Sequence, residues 1–187
     1  EIPLDNQLVA RSMDSNNGRF TVSGTVNSAA TPYQAIRLIV SRNSQGTVSQ
    51  YYSEDKTLSF SAGMANFDFD VAIRAELANY SIQIFGVQNG SATNIVLPDG
   101  TGNKIVAGDV FVIQGQSNAE AEMYEGSSAA YKNDFIRVFA SGIDDTAALM
   151  SINSWFVGDG DGPNWSNGNT GQWGLKFASE LIQSEQI

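Results

Sequence analysis

The chain has 187 residues, of which 42% are hydrophobic, and a formal net charge of −10. This composition and length are typical of a globular protein with one large or two small domains. The sequence contains no apolar run of the about 20 residues that span a bilayer. The negative charge disfavours nucleic acid or an anionic membrane as partner. Cysteine and histidine are absent, which excludes disulfides, thiolate metal sites and a Ser-His-Asp triad completed within the chain.

The first part of the chain has the residue pattern of short strands. Apolar and polar side chains alternate, as in residues 20–26, where Phe20, Val22 and Val26 fall on one face. Turn signals such as Asn43-Ser44-Gln45-Gly46 and Asn89-Gly90 separate the segments. We predict an antiparallel β-sandwich, immunoglobulin- or fibronectin-like, over residues 1–103. Its predicted strands are 20–26, 35–40, 49–52, 58–62, 65–71, 80–87 and 94–97.

The glycines of residues 99–103 mark the predicted boundary with a second domain over residues 104–187. Residues 1–104 contain nine acidic and seven basic residues, whereas residues 105–187 contain eleven and three. The continuous apolar run 110–113 predicts a strand buried on both faces, as in a parallel sheet. Residues 136–140 predict a second strand.

The end of the chain predicts an amphipathic helix of about 14 residues that begins near Thr170. Its apolar residues Trp173, Phe177 and Leu181 recur at intervals of four, and a long loop over residues 157–171 precedes it. One or two parallel strands and a helix cannot bury a core of their own. We therefore expect the rest of the sheet to come from a longer polypeptide or from a different chain.

A serine follows the apolar run, in Gln114-Gly115-Gln116-Ser117-Asn118-Ala119. A buried strand that ends in a turn of small residues around a serine is the arrangement of a nucleophile elbow, where a backbone N–H stabilises an oxyanion. The alternative is that Ser117 only caps the segment that follows it.

Residues 106–118 resemble the first conserved block of the sialate O-acetylesterase-like carbohydrate esterases, members of the SGNH hydrolase superfamily. Residues 171–178 are similar to the Trp-Gly…Phe-Ala helix of that family. The resemblance implies that residues 104–187 are the N-terminal portion of a flavodoxin-like α/β hydrolase domain. It also implies that Ser117 is the nucleophile and that its backbone N–H is one oxyanion donor. The supporting residues of the turn would be Gly115, Gln116 and Asn118.

The same resemblance implies a secreted, cell-surface or periplasmic enzyme that removes acetyl groups from an oligo- or polysaccharide without metal or organic cofactor. The closing Asp-x-x-His block of the family has no match in this sequence. Since a serine without an imidazole is a poor nucleophile, we expect the 187 residues alone to be inactive. The alternative is a non-catalytic β-sandwich module that binds glycan or spaces domains, with a degenerate α/β appendage.

The loop before the helix contains two further candidate sites. Asp159-Gly160-Asp161-Gly162 is similar to part of a calcium loop but lacks the later glutamate of an EF-hand, so the alternative is an acidic loop without a ligand. Aromatic faces suit sugar rings, and indole also anchors loops by partial burial. The predicted substrate-binding residues of this region are Trp155, Asn164 and Trp165.

Overall fold

The computed structural model describes residues 1–28, 33–114, 126–139, 153–162 and 166–187. These residues form ten strands, one 3-10 turn at Ala129–Tyr131 and one α-helix. None of the described helices has the length and apolar character that crossing a membrane requires. The elements are β1 Leu8–Ala10, β2 Asn17–Asn27, β3 Ala35–Ser44, β4 Thr47–Thr57, β5 Met64–Arg74, β6 Asn79–Gln88, β7 Ser91–Ile95, β8 Val106–Gly108, β9 Arg137–Phe139, β10 Trp155–Val157 and α1 Gly171–Glu185.

Two antiparallel sheets form the predicted β-sandwich-like arrangement. Strands β2 and β5 pair in one sheet, and the other has the order β4-β3-β6-β7. Alternate side chains of β2, β3, β5 and β6 enter one shared core, as the period of two in the sequence predicts. The side chains of the edge strands β4 and β7 are at most half-buried. Fully or almost fully buried members of that core are Phe20, Val22, Phe69 and Val71 from the first sheet and Ile36, Leu38, Tyr80 and Ile84 from the second.

Two of the predicted turns close tight hairpins. Gln45 and Gly46 connect β3 to β4, and Asn89 and Gly90 connect β6 to β7, all four with φ between 49° and 80°. Two consecutive positive φ angles define the type I′ turn, whose twist matches that of the flanking strands. Three of the four positions carry glycine or asparagine, which adopt this conformation at low cost, so these short signals predict the hairpins correctly.

Strand β4 departs from the prediction. It runs unbroken from Thr47 to Thr57 along the free edge of the four-stranded sheet, whereas we predicted separate strands at 49–52 and 58–62. The segment 58–62 is outside the strands, and only Ser61 forms an isolated bridge, to Met64. The second half of this edge strand carries charged residues on both of its faces. The sequence there therefore lacks the alternation of apolar and polar residues on which the prediction depended.

A parallel pair of short strands brings the beginning of the chain next to the residues that follow the sandwich sequence. Strand β1 pairs with β8, and Ile105 and Ala107 are buried in the sandwich core. Arg11 Nε and Nη2 donate to the two carboxylate oxygens of Asp109 at 2.7 and 2.9 Å. The predicted boundary at residues 103 and 104 stays a prediction, but the residues that directly follow it pack with the sandwich.

The prediction of a buried strand at residues 110–113 is wrong. These residues form no strand, and their exposures are 57%, 54%, 88% and 40% from Val110 to Ile113. A continuous apolar run indicates burial only if neighbouring strands cover both faces, and none of the described strands does so. The predicted strand at 136–140 corresponds to β9, which pairs antiparallel with β10. No part of the described structure supports a parallel α/β sheet here.

Helix α1 begins and ends close to the predicted bounds, with Thr170 as its N-terminal cap residue. Its buried face agrees with the prediction only in part: Ile182, which we predicted beside the apolar stripe, is buried. Leu175 and Ile182 pack with Ile136 in a small second core, to which Leu77 of the sandwich also contributes. Trp173 and Phe177, which the sequence placed on the buried stripe, are exposed. The helix therefore has apolar side chains on two faces, and only one of them is covered.

Candidate functional site

Most of the predicted site residues lie outside the described part of the chain. This holds for the proposed nucleophile Ser117, and the structure tests neither its role nor its orientation. The other predicted residues outside that part are Gly115, Gln116, Asn118, Asn164 and Trp165. Trp155 is described, in β10.

The segment that leads to the serine passes the first turn of α1. The rings of Phe111 and Phe177 meet edge to face, with centroids 5.2 Å apart. A Cβ placed on Gly174 would lie 3.4 Å from Ile113 Cδ1, an ordinary van der Waals distance, so Ile113 lies beside this turn of the helix. Ile113 precedes Ser117 by four residues. Ile113 therefore lies beside the N-terminal turn of α1, the end of a helix that favours negative charge.

A cavity of about 600 Å³ lies between this segment, α1 and the β9–β10 hairpin. Phe177 and Leu181 line it from the helix. From the hairpin come Phe139 and Trp155, whose ring centroids are 5.0 Å apart. The size and the largely apolar lining are those of many ligand sites. Trp155 thus shares a cavity with the segment that precedes the predicted nucleophile.

Arg137 provides a cation in the wall of the same cavity. Its Nη1 donates to the backbone oxygens of Asp134 and Ile136, and its Nη2 donates to that of Lys104. Its buried Nε has no hydrogen-bond partner, and the side chain forms no ion pair with any described residue. Burial lowers the pKa of this guanidinium to about 10, because desolvation disfavours the charged form. A buried donor without an acceptor is a candidate binding group.

A carboxylate–arginine–tyrosine network supports another part of the cavity wall. Arg42 Nε and Nη2 donate to Glu76 at 2.8 and 2.6 Å, and the Tyr80 hydroxyl donates to Glu76 Oε1 at 2.6 Å. The hydrogen bonds from Arg42 lower the pKa of Glu76 below its usual value. Burial and the bond to Glu76 raise the pKa of Tyr80 above the usual range. This fully bonded network keeps the Glu76 carboxylate ionised and occupied.

The acidic loop is held by the protein's own donors. Asp161 accepts hydrogen bonds from the hydroxyls of Ser127 and Ser128 and, at 2.6 Å, from the Ser128 N–H. Asp159 Oδ2 accepts from Lys132 Nζ at 2.7 Å, and its Oδ1 accepts from two backbone N–H groups. The serine bonds hold the pKa of Asp161 far below its usual value, and the Lys132 bond lowers the pKa of Asp159.

These contacts bear on the calcium-loop hypothesis. Within the described ranges, no group of three or more acidic side chains is placed to hold a metal ion. The two carboxylates are instead bound to serine, lysine and backbone donors. Asp159 and Asp161, at the start of the loop between β10 and α1, are therefore bonded to the segment around the 3-10 turn.

Comparisons with protein-family models, with curated proteins and with solved structures found no match for this chain. The family resemblance of residues 106–118 consequently stays a hypothesis that depends on the motif alone.

Sequence reasoning missed two of the groups that shape the site. Arg137 stands next to Ile136 in a predicted strand, and no local pattern indicated that its Nε would be buried without a hydrogen-bond partner. Asp161 was considered as a calcium ligand or as part of an acidic loop without a ligand. Its bonds to Ser127 and Ser128 were missed because those serines lie far from it in the sequence.

Proposed function

We propose that this chain belongs to a serine carbohydrate esterase in which Ser117 attacks an acetyl ester of a glycan. The observation that carries the proposal is the sequence of residues 106–118, an apolar segment that runs into Gly-Gln-Ser-Asn. In the proposed reaction the Ser117 oxygen forms an ester with the acetyl group and the sugar hydroxyl leaves. Water then releases acetate and restores the serine.

Two features near the motif are compatible with this chemistry. The residues before it pass the N-terminal turn of α1, whose dipole favours the negative charge of an oxyanion. The cavity beside that turn contains the Phe139–Trp155 aromatic pair, which offers an apolar face to a sugar ring. We propose that Trp155 contacts the glycan, together with Asn164 and Trp165, and that the protein acts on polysaccharide outside the cytoplasm.

The resemblance implies a histidine as general base, and these 187 residues contain none, so we propose that further polypeptide supplies it. Without that base the Ser117 hydroxyl stays protonated and reacts slowly. The proposal therefore distinguishes two samples: an intact natural gene product that supplies an imidazole is expected to be active, and the isolated 187-residue chain is expected to be inactive.

A serine-directed fluorophosphonate tests the assignment. The reagent is added to the natural gene product and to its Ser117→Ala and Ser127→Ala variants, and the labelled peptide is identified by mass spectrometry. Ser127 is the matched control, since it is a nearby serine bonded to Asp161. We expect one adduct on Ser117, which Ser117→Ala abolishes and Ser127→Ala retains. Acetate release from acetylated xylan should fall at least about 1000-fold in Ser117→Ala.

Other outcomes overturn the proposal. An adduct that persists in Ser117→Ala places the nucleophile elsewhere. The second candidate, a glycan-binding module, is favoured if the natural gene product takes no label, releases no acetate and still binds deacetylated xylan. The observation that supports this candidate is the exposed ring of Phe139 beside Trp155. In that case Trp155→Ala should weaken xylan binding.

A further inference from the structure

The point at which the chain leaves the sandwich is held twice by one residue, Arg11. The Arg11 N–H donates to the backbone oxygen of Gly108, the last residue of β8, at 2.9 Å. The Arg11 guanidinium donates to both carboxylate oxygens of Asp109, which lies 98 residues further along the chain. The backbone and the side chain of Arg11 therefore fix two consecutive positions of a distant segment.

The guanidinium of Arg11 is also held on its other side. Its Nη1 donates to Asn16 Oδ1 at 2.8 Å, and the Asn16 backbone oxygen accepts from the N–H of Ala75, which directly follows β5. The Arg11 side chain is only 15% exposed. A guanidinium whose Nε and both Nη groups donate to oxygens keeps little rotational freedom, and its fork matches a carboxylate in one geometry. Arg11 is therefore a rigid contact rather than a loosely placed surface charge.

Asp109 is the last residue with a hydrogen bond before the serine motif. No backbone hydrogen bond connects residues 110–114 to any other described residue. Their contact with α1 is apolar, as in the edge-to-face pair of Phe111 and Phe177. Apolar attraction is not directional, so it does not by itself fix the path of the segment. The directional contact nearest to Ser117 on this side is therefore the one at Asp109, eight residues earlier in the sequence.

Helix α1 responds to the same positive charge. Glu185, the last residue of α1, interacts electrostatically with Arg11. The carboxylates of Asp109 and Glu185 both line the cavity described above. Arg11 therefore attracts the start of the 110–114 segment and the end of the helix that this segment passes.

We propose that Arg11 is a positioning residue of the esterase, which sets the path of the segment leading to Ser117 by holding Asp109. The inference rests on the proposed function and adds that the sandwich takes part in catalysis, although Arg11 touches no reacting atom. No other described residue bonds to the Asp109 carboxylate, so loss of Arg11 releases the segment at its start. A displacement of about 1 Å caused by a distant substitution can lower a rate by about 100-fold.

Fluorophosphonate labelling of the natural gene product measures this effect as a rate. We expect Arg11→Met to lower the rate constant for labelling of Ser117 by about 10- to 100-fold, and kcat for acetate release by the same factor. The KM for acetylated xylan should change by less than about twofold, because Arg11 is not among the proposed glycan contacts. The matched control is Arg37→Met, which removes an exposed bidentate pair with Asp55 and should leave the rate constant unchanged.

Nuclear magnetic resonance relaxation of the 187-residue chain separates positioning from a loss of fold. In Arg11→Met the amide order parameters of residues 110–113 should fall, whereas those of β3 should stay near about 0.85. Arg11→Lys retains the charge but not the planar fork that contacts both carboxylate oxygens. It should therefore give intermediate values for the order parameters and for the labelling rate.

Asp109→Asn provides a second route to the same contact, since it leaves Arg11 in place and should reduce labelling in the same way. An unchanged labelling rate in Arg11→Met or Asp109→Asn overturns the inference and leaves the esterase proposal standing. Order parameters that fall throughout β3 overturn it as well, because the role of Arg11 is then only to stabilise the fold. If the unmodified gene product takes no label, both proposals fail.

Discussion

The network of Arg42, Glu76 and Tyr80 permits a quantitative test of the structure. Glu76→Gln preserves the shape of the side chain but removes its charge and one of the two oxygens that Arg42 contacts. The side chains of Arg42 and Glu76 are 30% and 26% exposed. The pair is therefore intermediate between surface ion pairs, worth about 0–1 kcal/mol, and buried pairs, whose disruption costs about 3–5 kcal/mol.

We expect Glu76→Gln to lower the free energy of unfolding by about 2 kcal/mol at pH 7. One of the two bonds from Arg42 is lost and the other loses its charge assistance, while the Tyr80 hydroxyl retains an acceptor in the amide oxygen. Urea unfolding followed by circular dichroism measures the loss. A double-mutant cycle with Arg42→Met isolates the pair, with an expected coupling of about 1–3 kcal/mol. Asp70→Asn is the matched control, because its pair with Arg19 is exposed and should matter little.

The pH dependence provides an independent check. Because the hydrogen bonds of Arg42 lower the pKa of Glu76 in the folded state, this stabilisation is fully present above the unfolded pKa of about 4.3. It is lost as the pH falls through the folded pKa. The difference in stability between the unmodified chain and Glu76→Gln should therefore shrink below about pH 4. An equal difference at pH 7 and pH 3, or zero coupling in the cycle, would refute the reasoning.

Two further predictions concern the core and the acidic loop. Phe69→Ala should lower the free energy of unfolding, measured with urea, by about 3–5 kcal/mol, because the ring is fully buried in the sandwich. Phe67→Ala should lower it less, because that ring is half-buried, and equal losses would contradict the packing. Asp161→Asn should accelerate hydrogen exchange of the Ser128 amide at pH 7, since the charged acceptor is lost. Because the pKa of Asp161 in the folded state is held so low, this difference in exchange between the unmodified chain and Asp161→Asn should persist to a lower pH than the stability difference caused by Glu76→Gln. Unchanged exchange in Asp161→Asn would show that the contact is not formed.

Local patterns predicted most of the sandwich. In β2 the alternation of Phe20, Val22 and Val26 reports directly which face is buried, because side chains of a strand alternate between its faces. At Asn89-Gly90 the conformational preference of two residues is sufficient to predict a hairpin. Helix α1 was predicted on the same basis, by a period near four and a threonine before its first turn.

Features that depend on distant residues were not predictable in this way. The run 110–113 has the composition of a buried strand, and composition cannot report whether neighbouring strands are present. The same holds for Phe177, whose face of α1 is apolar and yet exposed. The partners of Asp161 lie 33 and 34 residues earlier in the chain, so no spacing rule connects them. Of the predicted site residues only Trp155 is described, and its role in binding stays a prediction.

The free edge strand β4 and the exposed segment 110–113 have opposite consequences for solubility. β4 contains Glu54, Asp55 and Lys56, and such charges discourage edge-to-edge association of sheets. The segment 110–113 has no charge and high β-propensity, the properties of sequences that nucleate amyloid-like stacking. At high protein concentration, aggregation should therefore begin at the 110–113 segment rather than at the sheet edge. A ligand that fills the neighbouring cavity and covers this segment should slow the aggregation.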